Sequence, residues 1–411
     1  MKYVFFLISS LLLISNSARS QWTVSQTGFH QIYTSISAID DNIVWTGGHE
    51  GIVARTINGG ASWNLSVVGD SLNIISIYGI DNNTAIAITE EISPASSKIW
   101  KTSNGGNSWV QVYQQSTQLK ALKISPSGTG LCIGNPSGGR WSILKTTDFG
   151  TSWDTTGMYL AGTGNTVNNC MYSNGSEYWF GASGGRLFHT SNDGASWTID
   201  TVGTTNIINI WFNGQFGIIN NYTFTYRTTD GGDTWNTVTH PGNGYGRPTV
   251  GAGNKMWQVS AGSIFIYTST DNGNSWTSNN SYIQTKVDIS ISRTGSTVWI
   301  STVLDNILHT STGVNINTIS NQIPDRFALF QNYPNPFNPS TKIKFAIPNS
   351  SFVKLAVYDM LGREVSSLVN EQLQPGTYEY EFEASGLNSG VYFYKISTDN
   401  FSEVKKMTII K

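Results

Sequence analysis

Acidic and hydroxyl side chains recur in this chain at one fixed spacing, and acids so placed could ligate a metal or carry a proton. The fullest copy is Thr228-Thr229-Asp230-Gly231-Gly232-Asp233-Thr234-Trp235, with a hydroxyl, an acid, a Gly and a Trp at offsets zero, two, four and seven. Other copies run from Thr56 to Trp63, Thr102 to Trp109, Thr146 to Trp153, Thr190 to Trp197 and Ser269 to Trp276. The acid position holds Asp148, Asp230 and Asp271 in three copies but Asn58, Asn104 and Asn192 in the others. An amide keeps the hydrogen-bonding carbonyl but neither donates a proton as an acid nor neutralises a cation. The role shared by all copies is therefore structural: the side-chain oxygen bonds backbone N–H groups ahead of it, and Gly takes the φ > 0 position of a tight turn.

Other chemistry is sparse. There is no HExxH, no paired CxxC and no P-loop, and the Asp-rich turns lack the Glu that ends an EF-hand loop, so no metal and no cofactor is implied. Cys132 and Cys170 are the only cysteines, and both readings stay open: two buried thiols, or one disulfide. Glycoside hydrolysis needs two carboxyls about 5 to 9.5 Å apart on one face, and no such pair is assignable from the sequence, so no catalytic residue is named.

The elements that hold these residues repeat with them. Successive copies start 38 to 46 residues apart, room for four short β-rich runs, three before each turn and one after it. In the first repeat these are Ser35 to Asp40, Asn42 to Thr46, Gly51 to Thr56 and Trp63 to Val67. Four antiparallel strands per repeat make a propeller blade. Six complete repeats are followed by Lys286 to Thr310, which lacks a fourth strand, and preceded by Gln21-Trp22-Thr23-Val24-Ser25, which lacks the first three. Joining the two predicts seven blades, closed by one of mixed origin. A second set of Trp, at 45, 100, 141, 179, 211, 257 and 299, is expected to form core. Charged residues make up 12% of the chain, and net charge is −2 with no block of one sign, which argues against a nucleic-acid partner.

In such blades the turns after strands one and three share a face with the repeated turns. The opposite face then receives Glu50, Glu90, Glu91 and Asp305 on some blades and Arg140, Arg186 and Arg247 on others. This is the candidate binding surface, for a glycan or a protein ligand. A cation or His precedes most turns (Arg55, Lys101, Lys145, His189, Arg227 and His309) and reads either as a positive ring or as strand residues pairing with neighbours.

The termini differ in kind from the repeats. Residues 1–20 read as a secretory signal peptide, with Lys2, an apolar run from Val4 to Ile14 and small residues at Ala18 and Ser20, and no transmembrane span is expected after cleavage. The propeller is placed at 21–312 and a linker at 313–326. Residues 327–411 then alternate as half-buried strands do: Ile343, Phe345 and Ile347; Val353, Leu355 and Val357; Tyr378, Tyr380 and Phe382 against Glu379, Glu381 and Glu383. The fold class is therefore all-β, a seven-bladed propeller of four-stranded antiparallel blades followed by a small immunoglobulin-like sandwich of some seven strands.

Two resemblances extend this reading. The turns resemble the Asp-box repeat of bacterial sialidases and of propellers related to photosystem II stability factors, over residues 22 to 312. Sialidases of that kind carry an Arg-Ile-Pro motif, three substrate-gripping Arg and a Tyr-Glu pair, none of which can be placed here. The C-terminal run, with Gln331-Asn332-Tyr333-Pro334-Asn335-Pro336-Phe337-Asn338-Pro339, Val357 to Val365, Ala384 to Tyr392 and Lys405-Lys406-Met407, resembles the sorting domain of the type IX secretion system. That resemblance implies export to the cell surface or medium, with the secretion machinery as partner of residues 327–411. The expected function is a non-enzymatic binding or scaffold propeller; the alternative is a sialidase-like or glucanase-like hydrolase.

Overall fold

Each repeat alternates short apolar runs with turns rich in Gly, Asn and Asp, so each run folds back on its sequence neighbour as an antiparallel strand. The computed structural model describes residues 22–410, apart from 222, 242–245, 253–254, 261–263, 280–284, 294, 312–315, 321–323, 350, 374, 385–386 and 399. The expected signal peptide lies outside the described residues.

Seven sheets form the propeller. The first blade is Tyr33–Ala38, Val44–Gly48, Ile52–Thr56 and Asn64–Val67, in sequence order from the axis outward. Blades two, four, five and six repeat that order, beginning at Asn73, Met171, Ile207 and Gly246. Blade three has three regular strands, Leu119–Ile124, Gly130–Ser137 and Arg140–Thr146. Its fourth run touches the third only at the bridges Lys145 to Asp154 and Arg140 to Ala161. Between these bridges lies Thr155-Thr156-Gly157, whose Gly sits at φ 77° and turns the chain out of the ladder.

Blade seven combines Lys286–Ile291, Thr297–Thr302 and Asn306–Ser311 with Thr23–Gln26 from the other end of the chain. The register sets Thr23 opposite His309 and Gln26 opposite Asn306, so the ring closes as the two incomplete repeats imply. Asp305 secures this closure. Its buried carboxylate accepts the Phe29 N–H at 2.9 Å and the Thr27 hydroxyl, which in turn accepts from Tyr33 Oη at 2.8 Å.

Apolar packing lies between blades. One cluster joins Trp45, Val53 and Val68 of blade one to Ile74, Ala85 and Trp100 of blade two, and another joins Trp299 and Ile307 of blade seven to Tyr33, Ile36 and Ala54 of blade one. The second-strand Trp residues are thus core, as expected. Cys132 and Cys170 are both buried and free, and belong to different clusters.

The repeated turns are one construction in six places. In the third blade the Asp148 carboxylate accepts the Thr146 hydroxyl at 2.8 Å, the Ser152 N–H at 2.9 Å and the Ser152 hydroxyl at 2.6 Å, while Thr146 Oγ1 accepts the Gly150 N–H at 2.8 Å. Where Asn stands instead, one partner reverses. Asn58 Nδ2 donates to Ser62 Oγ at 2.9 Å, so the hydroxyl that donates to Asp accepts from Asn. A rotatable O–H makes the two residues interchangeable here.

The C-terminal part stacks two four-stranded sheets. One holds Ile316–Ser320, Gly376–Glu383, Ser340–Ile347 and Ala328–Leu329; the other holds Glu364–Leu373, Ser351–Tyr358, Gly390–Ser397 and Ser402–Ile409. Between them Ile343, Phe345, Ile347, Val353, Leu355 and Val357 are fully buried. Ile316–Ser320 falls inside the stretch read as linker and brings the strands to eight. Its mixed Asn, Thr, Ser and Ile carry too weak an alternation to mark a strand that lies at a sheet edge.

Replacing Asp305 with Ala leaves buried donors without an acceptor and should lower stability by roughly 2 to 3 kcal/mol, the scale of hydrogen bonds to a charged group. Asp305→Asn, which keeps one acceptor, should lose less than half of that in urea unfolding. Equal losses would mean that the side chain holds the N-terminal strand by volume and not by these bonds.

The turns make a pH prediction. Burial pushes the Asp148 and Asp271 carboxyls up, but hydrogen bonds from their Ser and Thr neighbours outweigh it and hold both at about 2, against an ordinary 3.8. At Asp230 the bonds from Thr228 and Thr234 bring the carboxyl to about 2. A folded value below the unfolded one gives stability that is complete above about pH 4 and is lost as pH falls toward about 2. The triple change of Asp148, Asp230 and Asp271 to Asn should therefore flatten the fall of the urea midpoint across that window. An unchanged slope would place the acid sensitivity elsewhere.

Candidate functional site

Strand direction defines two faces. First and third strands run toward the face bearing the repeated turns; second and fourth strands run away from it. Of the six cation and His positions ahead of the turns, Arg55, Lys101, Lys145 and Arg227 fasten one blade to the next on or near that face, and the two His residues pack within their own blades. Arg55 Nη1 donates to Asn82 O of blade two at 2.6 Å. Lys101 Nζ donates to Phe149 O and Thr151 Oγ1 of blade three's turn at 2.9 and 2.7 Å. Lys145 approaches Asp193 of blade four's turn at 4.0 Å, and Arg227 Nε reaches Asn272 O of blade six's turn at 2.7 Å. His189 and His309 stack flat on Trp179 and Trp299, 4.3 and 4.4 Å between centroids, and burial lowers both imidazole pKa values. These side chains are spent on the ring itself, the pairing role and not a positive ring for a ligand.

The opposite face carries the charged candidates, and several are turned inward. Glu90 accepts Lys120 Nζ at 2.6 Å and Gln118 Nε2 at 2.9 Å, both from blade three. Arg186 folds back on its own turn, Nε to Ser183 O at 3.0 Å, with Nη2 on Thr163 O. Asp305 is the closing clasp described above. Glu91 is half-buried beside Ser96 Oγ at 3.4 Å. Glu50 and Arg140 remain exposed, Glu50 at the tip of the His49–Gly51 turn with φ 56°. The Arg247 side chain lies outside the described residues. The charged set therefore does not converge on one point, and among the described residues no group of three or more His, Cys, Asp or Glu could hold a metal ion.

What this face does present is apolar. The loops between second and third strands put Ile92 (80% exposed) on blade two, Phe224 (51%) on blade five, Phe265 on blade six and Leu304 (55%) on blade seven. Phe29 adds an exposed ring from the connection between blades seven and one, and Tyr159 another from blade three. Blades one, three and four instead carry Gly-containing turns, His49–Gly51, Ser137–Arg140 and Ser183–Gly185. Large apolar tips thus form an arc over blades five, six and seven, continued by Phe29, while the polar turns lie on the other side. Reading the sequence for charge passed over these residues. Their signal was a bulky apolar residue between two strands, where turn chemistry favours Gly, Asn, Asp or Ser.

Comparisons with known proteins agree with this architecture. Residues 331–411 match the model of the secretion system C-terminal sorting domain. No curated protein matches the chain. Among solved structures, YCF48 bound to D1 peptide is similar at TM-score 0.56 and 16% identity, over 71% of this chain and 95% of that one. YCF48 from Cyanidioschyzon merolae is similar at 0.56 and 15%, over 71% and 98%. The extracellular domain of the two component system BT4673 from B. thetaiotaomicron is similar at 0.53 and 11%, covering 96% of this chain and 60% of that domain. Identities this low speak for the fold alone. The chain is thus a β-propeller joined to a type IX sorting domain, which marks it for the cell surface or the extracellular space.

Proposed function

We propose that the propeller is a non-enzymatic binding module of the cell exterior whose partner is a protein segment, seated on the face opposite the Asp boxes. The observation that carries this is the apolar arc of Phe224, Phe265, Leu304 and Phe29 on that face. A run of large apolar side chains held in water on loop tips costs solubility, which favours an interaction site, even where Phe224 and Phe265 rest one edge on Tyr226 and Tyr267. Aliphatic tips such as Ile92 and Leu304 stack poorly on sugar rings and pack well against protein side chains, which favours a protein over a glycan. Glu50 and Arg140, exposed on the polar side of the same face, supply the rim such a site needs. YCF48, a propeller of similar fold, has been captured with a peptide, and that ligand class is the one this reading carries over.

The test is a displayed random-peptide library and a glycan array, both probed with the exported protein. Peptides rich in apolar residues should bind, and the triple variant Phe224→Ser, Phe265→Ser, Leu304→Ser should weaken them at least tenfold, about 1.4 kcal/mol, with little change in melting. Binding confined to glycans, or cleavage of a bound glycan, would overturn the reading in favour of a lectin or a hydrolase.

A further inference from the structure

The sorting domain has a surface that its own fold does not use. Between Ser351–Tyr358 and Glu364–Leu373 the chain turns at Asp359-Met360-Leu361-Gly362. The Asp359 carboxylate fixes this turn from inside: Oδ1 accepts the Leu361 and Arg363 N–H groups, each at 2.9 Å, and Oδ2 accepts Arg363 Nε and Nη2, each at 2.7 Å. Gly362 supplies the left-handed φ of 75° that closes it. A turn tied this firmly has little freedom to withdraw its side chains, yet it holds Met360 and Leu361 out in water, 72% and 79% exposed.

The turn overhangs the outer face of its sheet. There Tyr358 lies opposite Phe393 and Lys395 opposite Val404 across the strands. With Asp359, Met360 and Gly362 they line an open groove of about 370 Å³. The inner face of the same sheet is already complete, with Leu355, Val357, Tyr394, Ile396 and Met407 fully buried. The outer apolar residues are therefore surplus to folding. Among the described residues neither Lys395 nor Lys406, which border this face, has a carboxylate partner.

The neighbouring strand edge is closed. Along Ser402–Ile409, Asn335 Oδ1 accepts the Thr408 N–H at 2.9 Å, the Phe337 N–H donates to Thr408 O at 3.1 Å, and Gln331 Nε2 donates to Lys406 O at 2.8 Å. The Pro-rich run laid there covers the edge, and its prolines offer no N–H of their own for further pairing. Strand addition is blocked on this half of that edge, beside the outer face that carries the exposed apolar residues.

We propose that this face, with Met360, Leu361, Phe393 and Val404 at its centre and Lys395 and Lys406 at its rim, is where the export apparatus grips the sorting domain. The occupant is a protein surface of complementary kind, apolar in the middle and edged with carboxylates. The proposal rests on the sorting-domain reading of residues 331–411.

The experiment uses the full chain in a host with a working type IX system and measures the propeller in medium and surface fractions against periplasm. Four forms are compared with the parent: Met360→Ser with Leu361→Ser, Lys395→Glu with Lys406→Glu, the conservative Lys395→Arg with Lys406→Arg, and deletion of residues 327–411. The first two change exposed or rim positions and should melt with the parent, yet export at least tenfold less and accumulate in the periplasm. Lys395→Arg with Lys406→Arg should restore export. Parental export of the first two, while the deletion is retained, overturns this docking face and leaves the sorting role standing. Parental export of the deletion as well overturns the sorting role itself.

Discussion

The backbone N–H groups on the open edge of each innermost strand set the terms for this propeller. Every blade is a separate sheet, so its first strand has a neighbour on one side only, and buried donors left unmade are costly. Side chains of the adjoining blade fill the gap. Asp288 and Ser290 of blade seven accept the Ile36 and Ala38 N–H groups of blade one at 3.1 and 3.0 Å. Ser35 and Ser37 of blade one do the same for Ile77 and Gly79 of blade two, at 3.1 and 3.0 Å, and Ser97 of blade two serves Leu119 of blade three at 3.0 Å. The acceptors are short because a longer side chain would push the blades apart. Asn169, entering blade four, reaches across the axis to Ser35 Oγ at 3.3 Å and Asp288 Oδ2 at 3.5 Å.

A second ring of bonds lies farther out, where Arg55, Lys101, Lys145 and Arg227 each fasten one blade to the turn or loop of the next. The turns present backbone carbonyls at fixed positions because their own N–H groups are held by the Asp or Asn side chain. A cation donating to such a carbonyl gains a defined partner at little cost in ordering. In blades three and six the repeated turn thus acts twice, shaping a hairpin within its blade and offering a carbonyl to Lys101 or Arg227 of the blade before it.

Features with a local cause were legible in the sequence. Turn spacing gave the blade count, the orphan Trp22 and the truncated last repeat gave the closure, and strict alternation gave the buried Ile343, Phe345 and Ile347 of the sandwich. Features fixed by distant partners were not legible. Nothing near Glu90 announces that Lys120, from the next repeat, neutralises it; nothing near Asp305 announces that residues 27 to 29, from the far end of the chain, wrap around it. The broken fourth run of blade three and the strand Ile316–Ser320 escaped for the opposite reason, since their local patterns are weak and tertiary pairing decides them. The candidate site suffered most. Charge in loops is visible one residue at a time, whereas an apolar arc exists only once blades five, six and seven stand side by side.

Topology orients the two surfaces. Thr23–Gln26 is a fourth strand and starts on the face of the repeated turns; Asn306–Ser311 is a third strand and ends there. Both ends of the propeller's chain therefore lie on the face whose turns and cations are engaged in holding the ring together. The opposite face carries the exposed tips Ile92, Phe224 and Leu304. The loops between second and third strands, which vary from blade to blade, leave the ring on the face opposite the one where the propeller's chain ends.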